Sequence, residues 1–358
     1  MRKTLISMLY RPMIAAALMI GFFNLCDIFN LFNVSIAQDA GKTRPESELV
    51  NIDVVVKDAE GKRVSDLKQE DFEIYEDGVL QDISSFKPIN QPLRLVLLFD
   101  TSPSMGFVFP GIKSESVKFV GGLNQLDEII VASFSHDLYC PGDWGGKARA
   151  ANNIEDLKST SVSGPVSPSP RAPSPFPPGR LPPGGRLSLP DVDTNLYGSL
   201  HDLFERFGRR GGNEVVLLIS DGKDSVEGDK AKQRPVKEPK QAVQKAQESW
   251  VQINAACFKF ERSSGSSPIG IGRGGKGYGS NCKFLADIAD ATGGRAFEFE
   301  TQSDFSLVLK KILEELRSQY SLAYSPSTKG KAGFHKIRTV VKRPDVVARA
   351  REGYLISK

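Results

Sequence analysis

Apolar residues near the middle of the chain form short continuous runs, and each run leads into polar side chains. Residues 95–99 have the sequence LVLLF and precede Asp100, whereas residues 215–219 have the sequence VVLLI and precede Ser220 and Asp221. Continuous apolar runs of this length are typical of strands buried on both faces, as in the centre of a parallel sheet. The pattern therefore predicts two central strands that each lead into an aspartate.

Between and after these strands the apolar spacing changes to that of amphipathic helices. Helical spacing covers residues 112–126, 194–207, 240–250, 282–292 and 303–320, and further strands are expected at 128–135, 251–260 and 295–299. Ser303 is the expected N-cap of the last helix. Strands that alternate with helices in this way predict a doubly wound, mostly parallel, Rossmann-like α/β domain at 91–320.

Both flanks of this α/β domain have the two-residue period of half-buried strands. Val50, Ile52, Val54 and Val56 alternate with polar residues, and three or four short strands are expected within 49–90. Strands are expected again at 320–325, 335–342 and 348–356. Each flank is too small to bury a core alone. We therefore expect 49–90 and 321–356 to pair as one small all-β module, into which the α/β domain is inserted.

The N-terminal segment has the three parts of an export signal. Arg2, Lys3 and Arg11 are basic, residues 13–23 are apolar, and small residues stand at positions 35 and 37. This pattern predicts a signal peptide at 1–37 and a secreted or periplasmic protein. The alternative is a retained anchor at 13–32, and only then would a membrane be a partner.

The overall composition is that of an ordinary globular protein. The 358 residues are 40% hydrophobic and 25% charged, and the net charge of +4 is dispersed along the chain. Such a composition predicts no nucleic-acid partner. Residues 159–190 are dense in Pro, Ser and Gly, which predicts a mobile Pro-rich insertion.

Cysteine usage is consistent with export and leaves the pairing open. Removal of residues 1–37 would leave Cys140, Cys257 and Cys282, an odd number that allows one internal bridge. Cys257 lies in an apolar run and is expected to be a free, buried thiol. Of the possible bridges, we expect Cys140 with Cys282.

Oxygen-bearing side chains gather where the two central strands end. They are Asp100, Ser102 and Ser104 after the first strand, Asp221 after the second, and Thr194 at the start of the intervening helix. Because parallel strands direct their carboxyl ends to one edge of the sheet, these residues are expected to lie together. Oxygen ligands suit a hard cation such as Mg²⁺. The alternatives are that Asp100 and the serines only cap the next helix, or that Asp191 and Asp193 take the place of Thr194.

This set resembles the metal-ion-dependent adhesion site (MIDAS) of von Willebrand factor A (VWA) domains, which is Asp-x-Ser-x-Ser, a Thr, and an Asp before Gly. The matching residues are DTSPS at 100–104, Thr194, and SDG at 220–222. The flanking sequences VNIDVVVKDAEGKRVSDLKQEDFEIYEDG, QYSLAYSPS and REGY are similar to those of exported bacterial, acidobacterial-type VWA proteins. The resemblance covers 49–356 apart from the Pro-rich insertion.

The resemblance implies a site for Mg²⁺ or Mn²⁺ that recruits a carboxylate from a partner. It implies that Ser102 and Ser104 bind the ion directly, that Asp100 and Asp221 act largely through water, and that Thr194 joins or leaves with the state of the site. An ion with charge left over can then attract an Asp or Glu of a protein partner.

Other chemistries fit the sequence less well. Residues 270–275 have the sequence GIGRGG but do not follow a strand directly, as a phosphate-binding loop would. The three histidines, His136, His201 and His335, belong to no recognisable catalytic triad. We therefore expect a binding protein that is not an enzyme. The alternative is a structural component of a cell-envelope assembly with a mainly structural metal; neither partner nor oligomeric state follows from the sequence.

Overall fold

The structure, a computed structural model, describes residues 49–87, 92–159, 194–208, 214–226, 233–236, 238–260, 280–327 and 330–357. The predicted signal peptide, Asp191, Asp193 and all of the Pro-rich insertion except Ser159 lie outside the described residues. Within those ranges, no helix is both long enough and apolar enough to cross a membrane.

The described chain contains the following strands and helices. The strands are β1 (Val50–Asp58), β2 (Phe72–Glu76), β3 (Val79–Gln81), β4 (Ile83–Lys87), β5 (Arg94–Asp100), β6 (Glu128–Phe134), β7 (Leu138–Tyr139), β8 (Glu214–Ser220), β9 (Gln252–Phe258), β10 (Ala296–Phe299), β11 (Gln319–Tyr324), β12 (Gly333–Val341), β13 (Val346–Arg349) and β14 (Gly353–Ile356). The helices are α1 (Phe109–Gly121), α2 (Lys147–Asp156), α3 (Leu196–Phe207), α4 (Pro239–Glu248), α5 (Cys282–Ala291) and α6 (Gln302–Leu316).

A six-stranded sheet in the order β10-β9-β8-β5-β6-β7 forms the α/β domain. All neighbouring strands are parallel except β7, which runs antiparallel to β6. Side chains of α1, α2 and α6 share a hydrophobic core with one face of the sheet, and side chains of α3, α4 and α5 share a second core with the other face. Both faces of β5 and β8 are thus covered, which explains their continuous apolar sequences. The predicted doubly wound α/β fold is confirmed.

The two flanks of the chain form the β module, which consists of two antiparallel four-stranded sheets. Their orders are β13-β1-β11-β4 and β14-β12-β2-β3, so each sheet combines strands from both ends of the chain. β1 pairs with β11 (Val54 opposite Tyr320), and β2 pairs with β12. Apolar side chains from the two sheets share one core. The predicted all-β module made from both chain ends is confirmed.

Glu315, near the end of α6, links the α/β domain to the β module. Its buried carboxylate accepts hydrogen bonds from Lys57 Nζ at 2.9 Å, Arg295 Nη1 at 3.2 Å and Arg349 Nη2 at 2.5 Å. Burial alone would raise the pKa of Glu315, but the hydrogen bond from Lys57 and the charges of Arg349 and Lys57 outweigh it, so the pKa is lowered. The last helix is therefore attached to both β1 and β13 by charge-assisted hydrogen bonds.

Three elements differ from the sequence predictions. Helix α2 was not expected, because only Ala150 and Ile154 of its ten residues are buried and they make no recognisable stripe. Helix α6 is capped by Thr301 rather than Ser303: the Thr301 hydroxyl accepts from the Asp304 N–H, and the Asp304 carboxylate accepts from the Thr301 N–H at 3.0 Å. The strand expected at 348–356 is two strands, because buried Arg351 interrupts it and donates to the Ser249 carbonyl at 3.1 Å.

The disulfide expectation was wrong. Cys257 and Cys282 are bridged, with their Cα atoms 5.6 Å apart, and Cys140 is the free thiol. Cys257 lies near the carboxyl end of β9, and Cys282 begins α5, which packs on that face of the sheet. The apolar sequence around Cys257 indicated its burial correctly but carried no information about the helix that covers it.

Candidate metal centre

The carboxyl ends of β5 and β8 lie side by side and bring the first predicted residues together. The strands are parallel neighbours with Phe99 opposite Ile219. Ser220, the last residue of β8, donates from its hydroxyl to Asp100 Oδ2 at 2.6 Å, and the same hydroxyl accepts from the Gly222 N–H at 2.9 Å. Asp100 is thereby hydrogen-bonded to the residue that precedes Asp221.

The segment after β5 turns its serines toward Asp100. The Ser102 N–H donates to Asp100 Oδ1 at 2.9 Å, and a short 3₁₀ turn follows at Pro103–Met105. The hydroxyl oxygens of Ser102 and Ser104 are 3.1 Å apart. Met105 is completely buried and fixes the end of the turn in the core. The spacing of the motif therefore places two hydroxyls next to one carboxylate.

Asp221 follows β8 directly and is completely buried. Its Oδ1 accepts from the Lys223 N–H at 3.1 Å, and its backbone carbonyl accepts from the Asn281 N–H at 2.7 Å. Asp221 Oδ2 makes no hydrogen bond, although Lys223 Nζ lies 3.1 Å from it as an ion pair. The oxygen that could face a bound cation is therefore paired with a lysine ammonium in this structure.

Gly222 is required by the backbone at this point. Its φ is +76°, and a Cβ built on it would lie 2.4 Å from the Asn281 carbonyl oxygen. Asn281 caps α5 and immediately precedes Cys282. Cys282 is bridged to Cys257 of β9, which lies opposite Ser220 of β8. The disulfide therefore fastens the start of α5 beside the Asp221 loop.

Thr194 lies beside the same loop but is not hydrogen-bonded to the aspartates. Its N–H donates to the Ser225 hydroxyl at 2.9 Å, and its carbonyl accepts from the Ser225 N–H at 2.8 Å. Among the described residues, no hydrogen bond joins the Thr194 hydroxyl to Asp100 or Asp221. Thr194 is thus in the neighbourhood that the sequence predicted, two residues before the start of α3.

The electrostatics of the site favour a cation. Asp100 is 1% exposed and Asp221 is 0% exposed. Burial raises the pKa of Asp100 to about 7, and the charge of Asp221 adds to the effect, although hydrogen bonds from Ser102 and Ser220 oppose it. Two carboxylates buried together are costly unless positive charge compensates them. Carboxylate and hydroxyl oxygens of this kind fit a hard divalent ion.

Two residues of the site have roles that the sequence did not indicate. Ser220 connects Asp100 to the Asp221 loop. Lys223 supplies a positive charge beside Asp221, and its ammonium lies 4.2 Å from the ring centre of Phe260. The position of Ser220 within the SDG sequence was the available signal, because the last residue of a central strand lies at the same edge as Asp100. No comparable signal marked Lys223.

Fold and geometry together define a doubly wound α/β protein with a buried, oxygen-rich site at the carboxyl edge of its central sheet. No protein-family model matches the chain, and a search of curated proteins found no match either.

Several solved structures resemble the chain at low identity. A von Willebrand factor type A protein from Catenulispora acidiphila is 11% identical with a TM-score of 0.41, covering 86% of this chain and 73% of that one. Proximal thread matrix protein 1 from the mussel byssus, with a zinc-occupied MIDAS motif, is 16% identical with a TM-score of 0.40, covering 64% of this chain. The likeness spans 48% of the byssus protein, about half its length. BatB from Bacteroides thetaiotaomicron is 14% identical with a TM-score of 0.39, covering 62% of this chain and 99% of that one.

Proposed function

We propose that this protein is a VWA-type binding protein that holds one Mg²⁺ or Mn²⁺ and uses it to capture an Asp or Glu side chain of a protein partner. The observation that carries the proposal is the convergence of two buried carboxylates, Asp100 and Asp221, on adjacent strand ends beside two hydroxyls. Such a pair needs positive charge, of which Lys223 supplies one unit beside Asp221. The match of all five positions to the MIDAS motif supports the same conclusion.

Each residue of the site has a proposed role. Ser102 and Ser104 would ligate the ion with their hydroxyls, and Asp100 and Asp221 would hold it largely through water. Thr194 would complete the set of oxygens. The bound ion would supply an electrostatic attraction for an incoming carboxylate. We propose a binding role for this site rather than a catalytic one.

We propose an exported location, secreted or periplasmic. The predicted signal peptide supports it, and so does the Cys257–Cys282 bridge, because disulfides persist mainly in oxidising compartments. The alternative remains a retained N-terminal anchor. Membership of the exported, acidobacterial-type group of VWA proteins is proposed on the flanking sequences alone.

Titration calorimetry with Mg²⁺ and Mn²⁺ tests the metal site. We expect one site in the wild-type chain and an affinity at least about tenfold lower in Asp221→Asn. Asp143→Asn is the matched control, because the Asp143 side chain is 80% exposed and lies outside the site. Circular dichroism of the metal-free variants checks that they are folded. Unchanged affinity in Asp221→Asn would refute the assignment.

The burial of the site favours a second candidate function. Ser102 and Asp221 are both 0% exposed, which suits a structural metal in a permanent component of a cell-envelope assembly. Partner capture from envelope extract across a series of EDTA concentrations separates the two. Reversible loss of capture supports the binding module, whereas capture that EDTA does not change supports the structural component.

A further inference from the structure

A second group of metal-ligating side chains lies in the β module, away from Asp100 and Asp221. Glu76 ends β2 and Asp77 begins the turn to β3, while His335 lies on β12, the neighbour of β2. The turn is fixed by Asp77 at φ +49° and Gly78 at φ +85°, the two left-handed residues of a tight Asp-Gly hairpin. The Asp77 N–H also donates to the Lys336 carbonyl at 2.9 Å. Strand pairing therefore holds the three side chains together.

The hydrogen bonds of His335 show which ring nitrogen is available. Nε2 is 2.7 Å from the Lys331 carbonyl oxygen, which can only accept, so Nε2 carries a hydrogen. Nδ1 faces the two carboxylates, 2.9 Å from Asp77 Oδ2 and 3.6 Å from Glu76 Oε1. One imidazole nitrogen and two carboxylate oxygens thus converge on one point. Such an arrangement requires positive charge between them, either a proton on Nδ1 or a metal ion.

Each of the three side chains is oriented by a further contact. The Nε2–H group of His335 donates to a backbone carbonyl, the arrangement that commonly fixes metal-binding histidines. Tyr354 donates from its hydroxyl to Glu76 Oε1 at 3.2 Å, and the Lys336 N–H donates to Asp77 Oδ1 at 2.8 Å. The ring of His335 also stacks on Tyr354, with centroids 5.2 Å apart. These contacts orient the converging atoms independently of one another.

Charge and access favour a divalent ion over a proton. Glu76 is completely buried and His335 is 4% exposed at its side chain, but the Asp77 side chain is 39% exposed. Solvent therefore reaches the cluster through Asp77. A proton on Nδ1 brings one positive charge to the two carboxylates, whereas a divalent ion brings two.

We propose that Glu76, Asp77 and His335 form a second metal site that takes Zn²⁺. The ligands are one imidazole nitrogen and two carboxylate oxygens, a set that suits zinc with solvent at the remaining position. Because the ligands come from both ends of the chain, the ion joins β2 to β12 and stabilises the β module. This site is independent of the proposed function of Asp100 and Asp221.

Calorimetry with Zn²⁺ tests the proposal in the full chain, prepared without a histidine tag. The parent variant is Asp221→Asn, which weakens the first site. We expect one Zn²⁺ per chain, a raised melting temperature with Zn²⁺, and at least about a tenfold loss of affinity on adding His335→Gln. His201→Gln is the matched control, because His201 lies on α3 and pairs with Asp202 instead.

Asp77→Asn provides a second variant in case His335→Gln unfolds the β module, since Asp77 is more exposed and its amide oxygen still accepts from the Lys336 N–H. It should also reduce Zn²⁺ affinity. Absence of Zn²⁺ uptake by the Asp221→Asn parent would overturn the proposal and leave a proton as the charge at His335. Equal uptake by the parent and both added variants would overturn it as well, because zinc would then bind elsewhere.

Discussion

Removal of the Cys257–Cys282 disulfide should destabilise the protein by an amount that follows from the length of chain it closes. The two cysteines are 25 residues apart in sequence. The loop-entropy relation gives about 12 cal/mol/K for a loop of this size, or about 3.5 kcal/mol at 25 °C. The destabilisation arises in the unfolded state, because the unfolded chain has more conformational entropy without the bridge.

Guanidinium unfolding followed by circular dichroism measures the loss. Oxidised wild type is compared with the same protein after reduction and with Cys257→Ala/Cys282→Ala, and the free energies are obtained by linear extrapolation. Reduction changes only the bridge, whereas the double variant also removes sulfur from a buried position. Cys140→Ala is the control, because Cys140 is the free thiol and its loss opens no loop. Equal unfolding midpoints for oxidised and reduced wild type would refute the reasoning.

The same perturbation should reach the candidate metal centre. Cys282 follows Asn281, whose N–H holds the Asp221 carbonyl at 2.7 Å. Cys257 lies opposite Ser220, which donates to Asp100. Reduction should therefore lower the Mg²⁺ affinity of the wild-type protein, whereas the oxidised Cys140→Ala variant should bind Mg²⁺ as wild type does. Unchanged Mg²⁺ affinity after reduction would mean that the contacts around Asn281 hold the loop without the bridge.

Two further predictions concern the attachment of the β module. Glu315→Gln should lower the free energy of urea unfolding by about 2 kcal/mol, because it removes a buried negative charge from three partly exposed cations. The pKa of Glu315 is lowered in the folded state, so the difference in stability between wild type and variant should shrink as the pH falls below 4.5. Deletion of 319–358 removes β11 and β13, the two partners of β1, so hydrogen exchange should lose protection at 50–58 while β5 stays protected. Retained protection at 50–58 would contradict the shared β module.

The parts that the sequence predicted are those with a local signal. A continuous apolar run shows that a strand is covered on both faces, and the next residue must then lie at the edge of the sheet. That logic located Asp100 and Asp221 without any contact information. Alternation at Val50–Val56 likewise showed one buried face, and the small size of each flank implied its pairing with the other. The confirmed fold class rests on these two patterns.

The parts that the sequence did not predict depend on contacts between distant residues. Cys282 lies next to Cys257 because α5 packs over the end of β9, and the residue types near either cysteine do not predict that packing. Lys223 approaches Asp221 only through the turn that Gly222 permits. The N-cap of α6 is a different case, because Thr301 and Asp304 have the spacing of a capping box and the sequence therefore carries a local signal for Thr301 rather than Ser303.

Helix α6 provides a packed connection between the metal centre and the β module. Phe305 and Ile312 of α6 belong to the same hydrophobic core as Met105, the residue after Ser104. Glu315, at the other end of that helix, is held by Lys57 and Arg349 of the β module. Helix α6 thus packs in the core that also holds the end of the serine turn, and its far end is hydrogen-bonded to the β module. The insertion of the α/β domain between the two halves of the β module thus places the end of its last helix against strands β1 and β13.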